Sequence, residues 1–334
     1  MIPTESTRTK LLYVSATQFS GTTLLSFLLN QHHDIATVGH TTGWSFQNPD
    51  EFLCSCGSRI ADCPLFRHVA EAYERTGLQF KANDFGTTFR VVDNSALNYY
   101  LTESLPTISV TWLERFRDSL VKLWPSARRE LSRQMLANRV FVDSVLDYWD
   151  ASCYLDNSHS PFRLRRLVEE CAFDVHNLHL LRDPRGVTLS LMTNSGLSAE
   201  EGINVWLRRQ QDIIRVSRTV PKTMRVCYER LCLSPDIVLH EIQKFVGLKE
   251  QAFTGNFKDA GHHILGNRMR LKDGSIRLDE RWKRDLSSVH IRVIEEGLKR
   301  FLKRKQGSQL STIIDYYLSE SYLASSAQER NLLT

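Results

Sequence analysis

The sequence lacks the features that mark secreted and membrane-spanning proteins. No apolar run approaches the roughly 18 residues needed to cross a bilayer. The first ten residues, MIPTESTRTK, are polar and do not form an apolar signal core. We therefore expect a cytoplasmic protein without a membrane span. The seven cysteines are an odd number in a chain of 334 residues, a length that needs no disulfide staples.

Internal repeats, low-complexity segments and concentrated basic patches are also missing. Lys and Arg number 43 against 38 Asp and Glu, which gives a formal net charge of +5. A nucleic-acid-binding protein usually concentrates its basic residues, whereas here the densest run, Lys299–Lys305, is typical of a solvated helix face. We therefore predict no nucleic-acid partner, while the mild positive charge suits an anionic ligand.

Short apolar runs alternate with longer amphipathic runs. Predicted strands are Lys10–Ala16, Ile35–Val38, Arg139–Ser144, Asn177–Leu181 and Thr223–Tyr228. Helical patterns between them predict an α/β fold, a doubly wound parallel sheet with helices on both faces. The charged runs from about 66 to 138 predict a helical insertion. We expect one domain over residues 1–310 and a C-terminal tail over 311–334.

Polar residues follow several of the predicted strands. They are Gln18–Thr23, His40, Asp143–Ser144 and Arg182. Ligands of open α/β sheets bind beyond the carboxyl ends of the strands. These residues are therefore expected to converge on one crevice.

The loop after the first strand, Ala16-Thr-Gln-Phe-Ser-Gly-Thr-Thr23, has the shape of a phosphate-binding P-loop. Ala16 replaces its first glycine and Thr22 replaces its lysine. Backbone N–H groups at a helix N-terminus bind anions, Gly21 permits close approach, and Ser20 and Thr23 add hydroxyls. An ordinary Ser/Thr-capped helix would show similar residues. Without the lysine, a kinase or ATPase is disfavoured.

A second phosphate-binding pattern lies in the run LHLLRDPRGVTLS, residues 178–190. A buried strand ends at Arg182, and Ser190 falls in the helix that follows. A guanidinium and a hydroxyl placed in this way can hold a phosphate. Asp183 and Arg185 are interpreted as a structural ion pair.

Together the two motifs resemble the sulfotransferases that use 3′-phosphoadenosine-5′-phosphosulfate (PAPS). Other short motifs occur in that family's order over about residues 10–285. They are CSCG with DCP near residues 54–64, VDS at 142–144, VCYERL at 226–231, FVGL at 245–248, and HHILGNRMR at 262–270 followed by Trp282. The resemblance implies the P-loop-like sulfotransferase fold.

The resemblance also implies residue roles. The cofactor-binding loop would be Gln18, Phe19, Ser20, Gly21, Thr22 and Thr23, which hold the 5′-phosphosulfate. Arg182 and Ser190 would hold the 3′-phosphate. Asn267, Arg268 and Arg270 would belong to a segment that closes over the nucleotide.

His40 is the predicted catalytic residue, because it stands where the family often has a glutamate base and imidazole has a suitable pKa. A histidine that only lines the crevice is the alternative. The family usually has a basic residue at the position of Phe19 and often a lysine near Leu146. His40, Gln18 and Arg268 are the candidate replacements for these two cations. Trp44 is a candidate for the acceptor side.

The predicted function is transfer of a sulfonate from PAPS to a hydroxyl or amine of an acceptor of unidentified class, by in-line displacement. The alternatives are a PAPS-binding or PAP-binding protein (PAP is the spent nucleotide) with little or no activity, and a P-loop kinase. Oligomeric state is left open.

Three cysteines lie close together as Cys54, Cys56 and Cys63. Zinc would need a fourth ligand, and His68 could supply it. The spacing matches no standard zinc pattern, and a compact turn with partly buried thiols is the alternative. No metal cofactor is predicted.

Overall fold

The computed structural model describes residues 8–42, 53–103, 111–171, 173–253, 261–262, 276–319 and 322. Five strands form one parallel sheet in the order β2-β3-β1-β4-β5. They are β1 Lys10–Ala16, β2 Ile35–Ala36, β3 Cys153–His159, β4 Asp174–Leu181 and β5 Lys222–Cys227. The central strand β1 pairs with β3 on one side and β4 on the other.

Helices cover both faces of this sheet. They are α1 Thr22–Leu29, α2 Pro64–Arg75, α3 Ser95–Thr102, α4 Thr111–Leu123, α5 Pro125–Trp149, α6 Pro161–Glu170, α7 Pro184–Ser195, α8 Ala199–Ser217, α9 Tyr228–Leu233, α10 Pro235–Val246, α11 Trp282–Asp285, α12 Ser288–Arg304 and α13 Gln309–Leu318. The α/β class with helices on both sides of a parallel sheet, predicted from the sequence, is confirmed.

Side chains of β1 alternate between two hydrophobic cores. Leu11 and Tyr13 pack among the residues of α2, α5 and α6, whereas Leu12 and Val14 pack among those of α1 and α10. Every residue of β1 after Lys10 is buried, as expected for a strand covered on both faces. A third core lies beyond β4, between α7, α8, α12 and α13.

The strand predicted at Arg139–Ser144 is wrong, because these residues belong to the long helix α5. Phe141, Val142, Val145 and Leu146 are buried together, at the spacing of a helix face. A run as short as RVFVDS fits a strand or a buried helix equally well by its pattern. The strand that occupies this place in the sheet is β3. It was not predicted because its sequence, CYLDNSH, is largely polar, although nearly all of the strand is buried.

The helical insertion is observed between β2 and β3. Helix α4, Thr111–Leu123, and the first half of α5 lie within the charged region that predicted this insertion. The division of the chain at residue 310 stays a prediction. Helix α13 spans it, and Ile313, Ile314 and Tyr317 of that helix are buried in the third core. No helix in the described part of the chain is both long and apolar enough to traverse a bilayer.

Candidate functional site at the carboxyl end of the sheet

The loop between β1 and α1 presents the first turn of a helix that carries no side-chain cap. Gly21 is the N-cap residue with φ 91° and makes no side-chain hydrogen bond to the helix. The first turn also contains no acidic residue that could offset the positive end of the helix dipole. The N–H groups there have no partner within the helix. The Ser20 hydroxyl is fully buried and has no hydrogen-bond partner among the described residues. This loop therefore offers polar groups to an anion.

Tyr228 at the start of α9 packs directly on Gly21. A Cβ atom added to Gly21 would lie 2.3 Å from Cδ2 of the Tyr228 ring. Glycine is required here twice, by the left-handed backbone and by the ring. Tyr228 was not predicted as a site residue, although the motif VCYERL contains it.

A chain of buried polar side chains supports the loop from below. Gln210 of α8 donates a hydrogen bond to the Thr17 hydroxyl at 3.0 Å, and its carbonyl oxygen lies 2.6 Å from Nε2 of His179. Burial lowers the pKa of His179 to about 4, so this imidazole is neutral near pH 7. Helix α8 and strand β4 thereby fix the start of the loop.

Arg182, at the end of β4, reaches the same loop. Its guanidinium donates a hydrogen bond to the carbonyl oxygen of Phe19 at 2.7 Å. It lies over the ring of Tyr228 at 4.6 Å and forms an ion pair with Asp279 at 2.9 Å. Strands β1 and β4 are neighbours in register. The two predicted phosphate-binding motifs therefore meet at one edge of the sheet.

Ser190 lies two turns into α7, and its hydroxyl donates to the carbonyl oxygen of Gly186 at 3.0 Å. Gly186 is packed against Arg182, since a Cβ on Gly186 would lie 3.3 Å from Nε of Arg182. The predicted structural ion pair between Asp183 and Arg185 is observed at 2.8 Å, with both side chains buried.

The end of β3 supplies a second set of polar groups. Asp156 is fully buried and accepts from Nε of Arg163 at 2.8 Å and from the backbone N–H of Ser158 at 2.9 Å. His159 follows with a left-handed φ of 47° and pairs in register with Ser15 of β1. The buried ion pair thus holds the strand end that carries His159, beside the end of β1.

His40 and His159 lie together in this crevice, with ring centroids 5.0 Å apart at an interplanar angle of 85°. Burial lowers the pKa of His40, with Asp156 opposing and Arg163 adding to the shift. Burial also lowers the pKa of His159 well below 6.5, helped by His40 and Arg209. Both imidazoles are therefore neutral near pH 7 and able to accept a proton.

Arg209 on α8 brings a cation to the same end of the sheet. Its charge acts on His159 and on Tyr13, and it has no ion-pair partner among the described residues. It was not predicted from the sequence, because nothing in the pattern of α8 distinguishes Arg209 from Arg208.

Two of the residues expected in the crevice lie elsewhere. Asp143 and Ser144 are in α5, and Asp143 accepts a hydrogen bond from Thr9 at the amino end of β1. They therefore sit away from the carboxyl ends of the strands. The lysine that the family often carries would stand near Leu146, just after the strand that was wrongly predicted. Leu146 lies in α5 as well. Asn267, Arg268, Arg270 and Trp44 lie outside the described residues.

The crevice does bring together most of the other predicted residues. The loop Gln18–Thr23 adjoins Arg182 directly, and Gln18 is exposed at its rim. His40 lies beside the end of β3. The residues missed by the sequence are Tyr228, Gln210, Arg209 and His159. The polar run DNSHS at 156–160 was the available signal for His159.

Solved structures that resemble the chain are sulfotransferases. The sulfotransferase domain from the Synechococcus PCC 7002 olefin synthase aligns over 89% of this chain and 97% of that domain, with a TM-score of 0.48 and 16% identity. The sulfotransferase domain from the curacin biosynthetic pathway aligns over 86% and 97%, with a TM-score of 0.47 and 14% identity. A sulfotransferase from Mycobacterium avium aligns over 89% and 77%, with a TM-score of 0.42 and 14% identity.

No protein-family model matches the sequence, and no curated protein matches it either. What the site does must follow from its own residues.

Proposed function

We propose that this protein is a PAPS-dependent sulfotransferase that moves a sulfonate to a hydroxyl or amine of an acceptor. The observation that carries the proposal is the hydrogen bond from Arg182 to the carbonyl of Phe19. It joins two phosphate-binding motifs in one crevice, as a nucleotide with phosphates at both its 3′ and 5′ positions requires. A ligand with a single phosphate group would need only one of them.

The 5′-phosphosulfate is assigned to the loop Gln18–Thr23. Helix N–H groups at Thr22 and Thr23 would donate hydrogen bonds to its oxygens. The buried hydroxyl of Ser20 could donate to the same ligand. Gly21 lets the backbone approach. No lysine stands in the loop, which suits a group shorter than a triphosphate.

The 3′-phosphate is assigned to Arg182, with Ser190 one turn beyond Gly186. A carboxylate oxygen of Asp279 now accepts from Nη2 of the guanidinium, and a phosphate oxygen can accept the same charge-assisted hydrogen bond. The phosphate would replace that carboxylate. Asn267, Arg268 and Arg270 remain proposed members of the segment that closes over the nucleotide.

The transfer would be an in-line displacement at sulfur. The acceptor oxygen or nitrogen forms a bond to sulfur while the bond from sulfur to the bridging oxygen of the phosphosulfate breaks. The proton of the acceptor passes to the neutral imidazole of His40, and the leaving phosphate takes the bond electrons. His40 is suited to this role because burial keeps it unprotonated.

The negative charge that develops on the leaving phosphate needs donors nearby. Phe19 supplies only its backbone, and its ring packs against the third core. Arg209 and His159 are the groups we assign to this task, together with the N–H groups of α1. Of these groups only Arg209 is a cation like those that the family usually carries beside its loop and its mid-chain strand, and the neutral His159 can act only as a hydrogen-bond donor.

Calorimetry with PAP and with AMP, which lacks the 3′-phosphate, tests the assignment. We expect PAP to bind about 10–100-fold more tightly, since a charge-assisted contact contributes about 1.5–3 kcal/mol. Arg182→Ala should erase the preference, whereas Arg284→Ala, an exposed arginine paired with Asp285, should keep it. Equal binding of the two nucleotides would refute the 3′-phosphate assignment.

A nucleotide-binding protein without transfer is the second candidate, favoured by the apolar side chain of Phe19 in the loop. Labelled PAPS offered to a panel of alcohols, phenols and amines separates the two. Tight PAP binding with no labelled product from any acceptor would favour the binding protein. Magnesium-dependent ATP binding tighter than PAP binding would instead indicate a kinase.

A further inference from the structure

Four potential metal ligands meet beside α2, away from the crevice. They are the thiols of Cys54, Cys56 and Cys63 and the imidazole of His262, and their ligand atoms all lie within 4.8 Å of one another. Cys54 and Cys63 are buried and Cys56 is exposed. His262 is separated from Cys63 by 199 positions in the chain. The fold therefore assembles a set that no local motif contains.

The distances fit one ion at the centre of a tetrahedron. Zinc with Zn–S bonds of about 2.3 Å and Zn–N bonds of about 2.0 Å places sulfurs about 3.8 Å apart and the nitrogen about 3.5 Å from each sulfur. The sulfurs of Cys56 and Cys63 are 3.8 Å apart. Nδ1 of His262 lies 3.5 Å from the sulfur of Cys54 and 3.1 Å from that of Cys63.

A tight turn presents the first two cysteines. Leu53 and Arg59 form an antiparallel bridge, and the N–H of Cys54 donates to the carbonyl of Ser58 at 2.9 Å. Gly57 makes the turn with φ 87°. Both thiols are thus held on one short hairpin.

Cys63 is the N-cap residue of α2 and makes no side-chain cap bond with that helix. A thiolate is stabilised at a helix N-terminus. Zinc binds the thiolate form, so this position favours the ionised ligand.

His262 is fixed by contacts on two sides. Its ring lies edge to face with those of Trp149 and Tyr148, at centroid distances of 5.3 and 5.7 Å. The hydroxyl of Ser55 donates to the carbonyl of Gly261 at 2.8 Å. These contacts aim Nδ1 at the cysteines. His68, the sequence-based choice for the fourth ligand, instead pairs with Asp147 at 3.0 Å.

We propose that Cys54, Cys56, Cys63 and His262 bind one structural zinc ion. All three cysteines bind as thiolates, so binding releases the protons that their thiols still carry, and it leaves no open coordination position. The ion joins the start of α2 to the chain at Gly261–His262, five residues before Asn267 in the sequence. The site is independent of the sulfonate transfer proposed above, because none of its ligands belongs to the crevice.

The test is the metal content of untagged protein purified without chelators. We expect about one zinc per chain, lost in both Cys63→Ser and His262→Ala. His68→Gln and Cys171→Ala are the matched controls, a histidine and a buried cysteine outside the cluster, and both should retain the metal. Metal retained by the His262 variant, or lost equally from the His68 control, would overturn the assignment.

Cobalt substitution tests the site in the unaltered protein, so that a variant that fails to fold leaves the proposal testable. Apo-protein titrated with Co²⁺ should develop intense visible absorption and thiolate charge-transfer bands that saturate at about one equivalent. Zinc should then displace the cobalt. Weak octahedral-type absorption, or thiolate bands that do not saturate at about one equivalent, would overturn a tetrahedral zinc site.

Discussion

Tyr228 and Gly21 are in contact so close that no side chain fits between them. The ring atom Cδ2 lies 2.3 Å from the place where a Cβ of residue 21 would be. The guanidinium of Arg182 lies over the same ring, 4.6 Å from its centroid. Tyr228 therefore contacts both the loop and the arginine, which are the two proposed phosphate anchors.

Gly21→Ala should therefore abolish PAP binding measured by calorimetry, because the loop must move away from the ring and leave the left-handed region. Gly77→Ala is the matched control. Gly77 has φ 73° and no atom lies within 4 Å of the place where its Cβ would be, so this variant shows only the backbone cost of about 1 kcal/mol. Nucleotide affinity of Gly21→Ala within a factor of about two of the parent would contradict the cradle.

Asp279 competes with the proposed ligand for Arg182. Its carboxylate pairs with Arg182 and Arg281, and the hydrogen bonds from Arg281 and Arg182 hold the pKa of Asp279 far below 3.8. Asp279→Asn should raise affinity for PAP up to about tenfold, because the 3′-phosphate no longer has to displace a charged carboxylate from Arg182. AMP affinity should stay unchanged.

The control for Asp279 is Asp285→Asn, which removes an exposed carboxylate paired with Arg284. It should leave both affinities as they are. A weaker PAP affinity in Asp279→Asn would mean that the carboxylate orients Arg182 rather than competing with the phosphate.

The sequence predicts those parts of the site that depend on a local pattern of apolar and polar residues. The loop Gln18–Thr23 and Arg182 follow apolar runs whose ends mark the carboxyl edge of a sheet. The strand β3 was not readable, because Asp156, Asn157 and Ser158 are polar yet buried. The partners Arg163 of Asp156 and Thr41 of Ser158 come from other elements of the fold. A run such as RVFVDS gave the better local strand pattern and belongs to a helix.

Residues that act across long sequence separations were also hidden. His262 meets Cys63 only because α2 and α5 pack together beside it, and His68 was the nearer choice in the chain. Tyr228, Gln210 and Arg209 lie on helices that bring them to the loop after β1. No periodicity or spacing distinguishes such side chains from their neighbours before the fold is known.

His40→Ala should abolish sulfonate transfer while PAP affinity changes less than about threefold, because His40 is assigned to the acceptor proton and not to the nucleotide.

The burial that lowers the pKa of His40 should also determine how the rate depends on pH. In the parent protein, kcat/KM should rise with pH and reach its plateau with a midpoint below 6.5, since only the neutral imidazole accepts a proton. His33→Ala, an exposed histidine of the same segment, should keep this profile. A midpoint above 6.5, or a His40→Ala variant that transfers sulfonate at close to the parent rate, would remove His40 from the mechanism.

The buried chain of His179, Gln210 and Thr17 should make the free energy of unfolding depend on pH. The pKa of His179 is lowered from 6.5 to about 4 by burial, so the unfolded chain binds a proton more readily than the native one between these values. Stability contributed by the neutral form is therefore complete above about pH 6.5 and is lost as the pH falls toward 4. At pH 5 the loss from this group alone is about 2 kcal/mol.

His179→Gln keeps a hydrogen-bonding side chain beside Gln210 but cannot titrate. Urea unfolding followed from pH 7.5 to 4.5 should show a shallower decline in the variant than in the parent, whatever their difference at neutral pH. The half-buried His290 near the start of α12 provides the control, because His290→Gln replaces a histidine outside this buried chain and should leave the slope unchanged. If His179→Gln and the parent lose stability in parallel, His179 is not neutral in the native protein. The imidazole that contacts Gln210 would then be protonated.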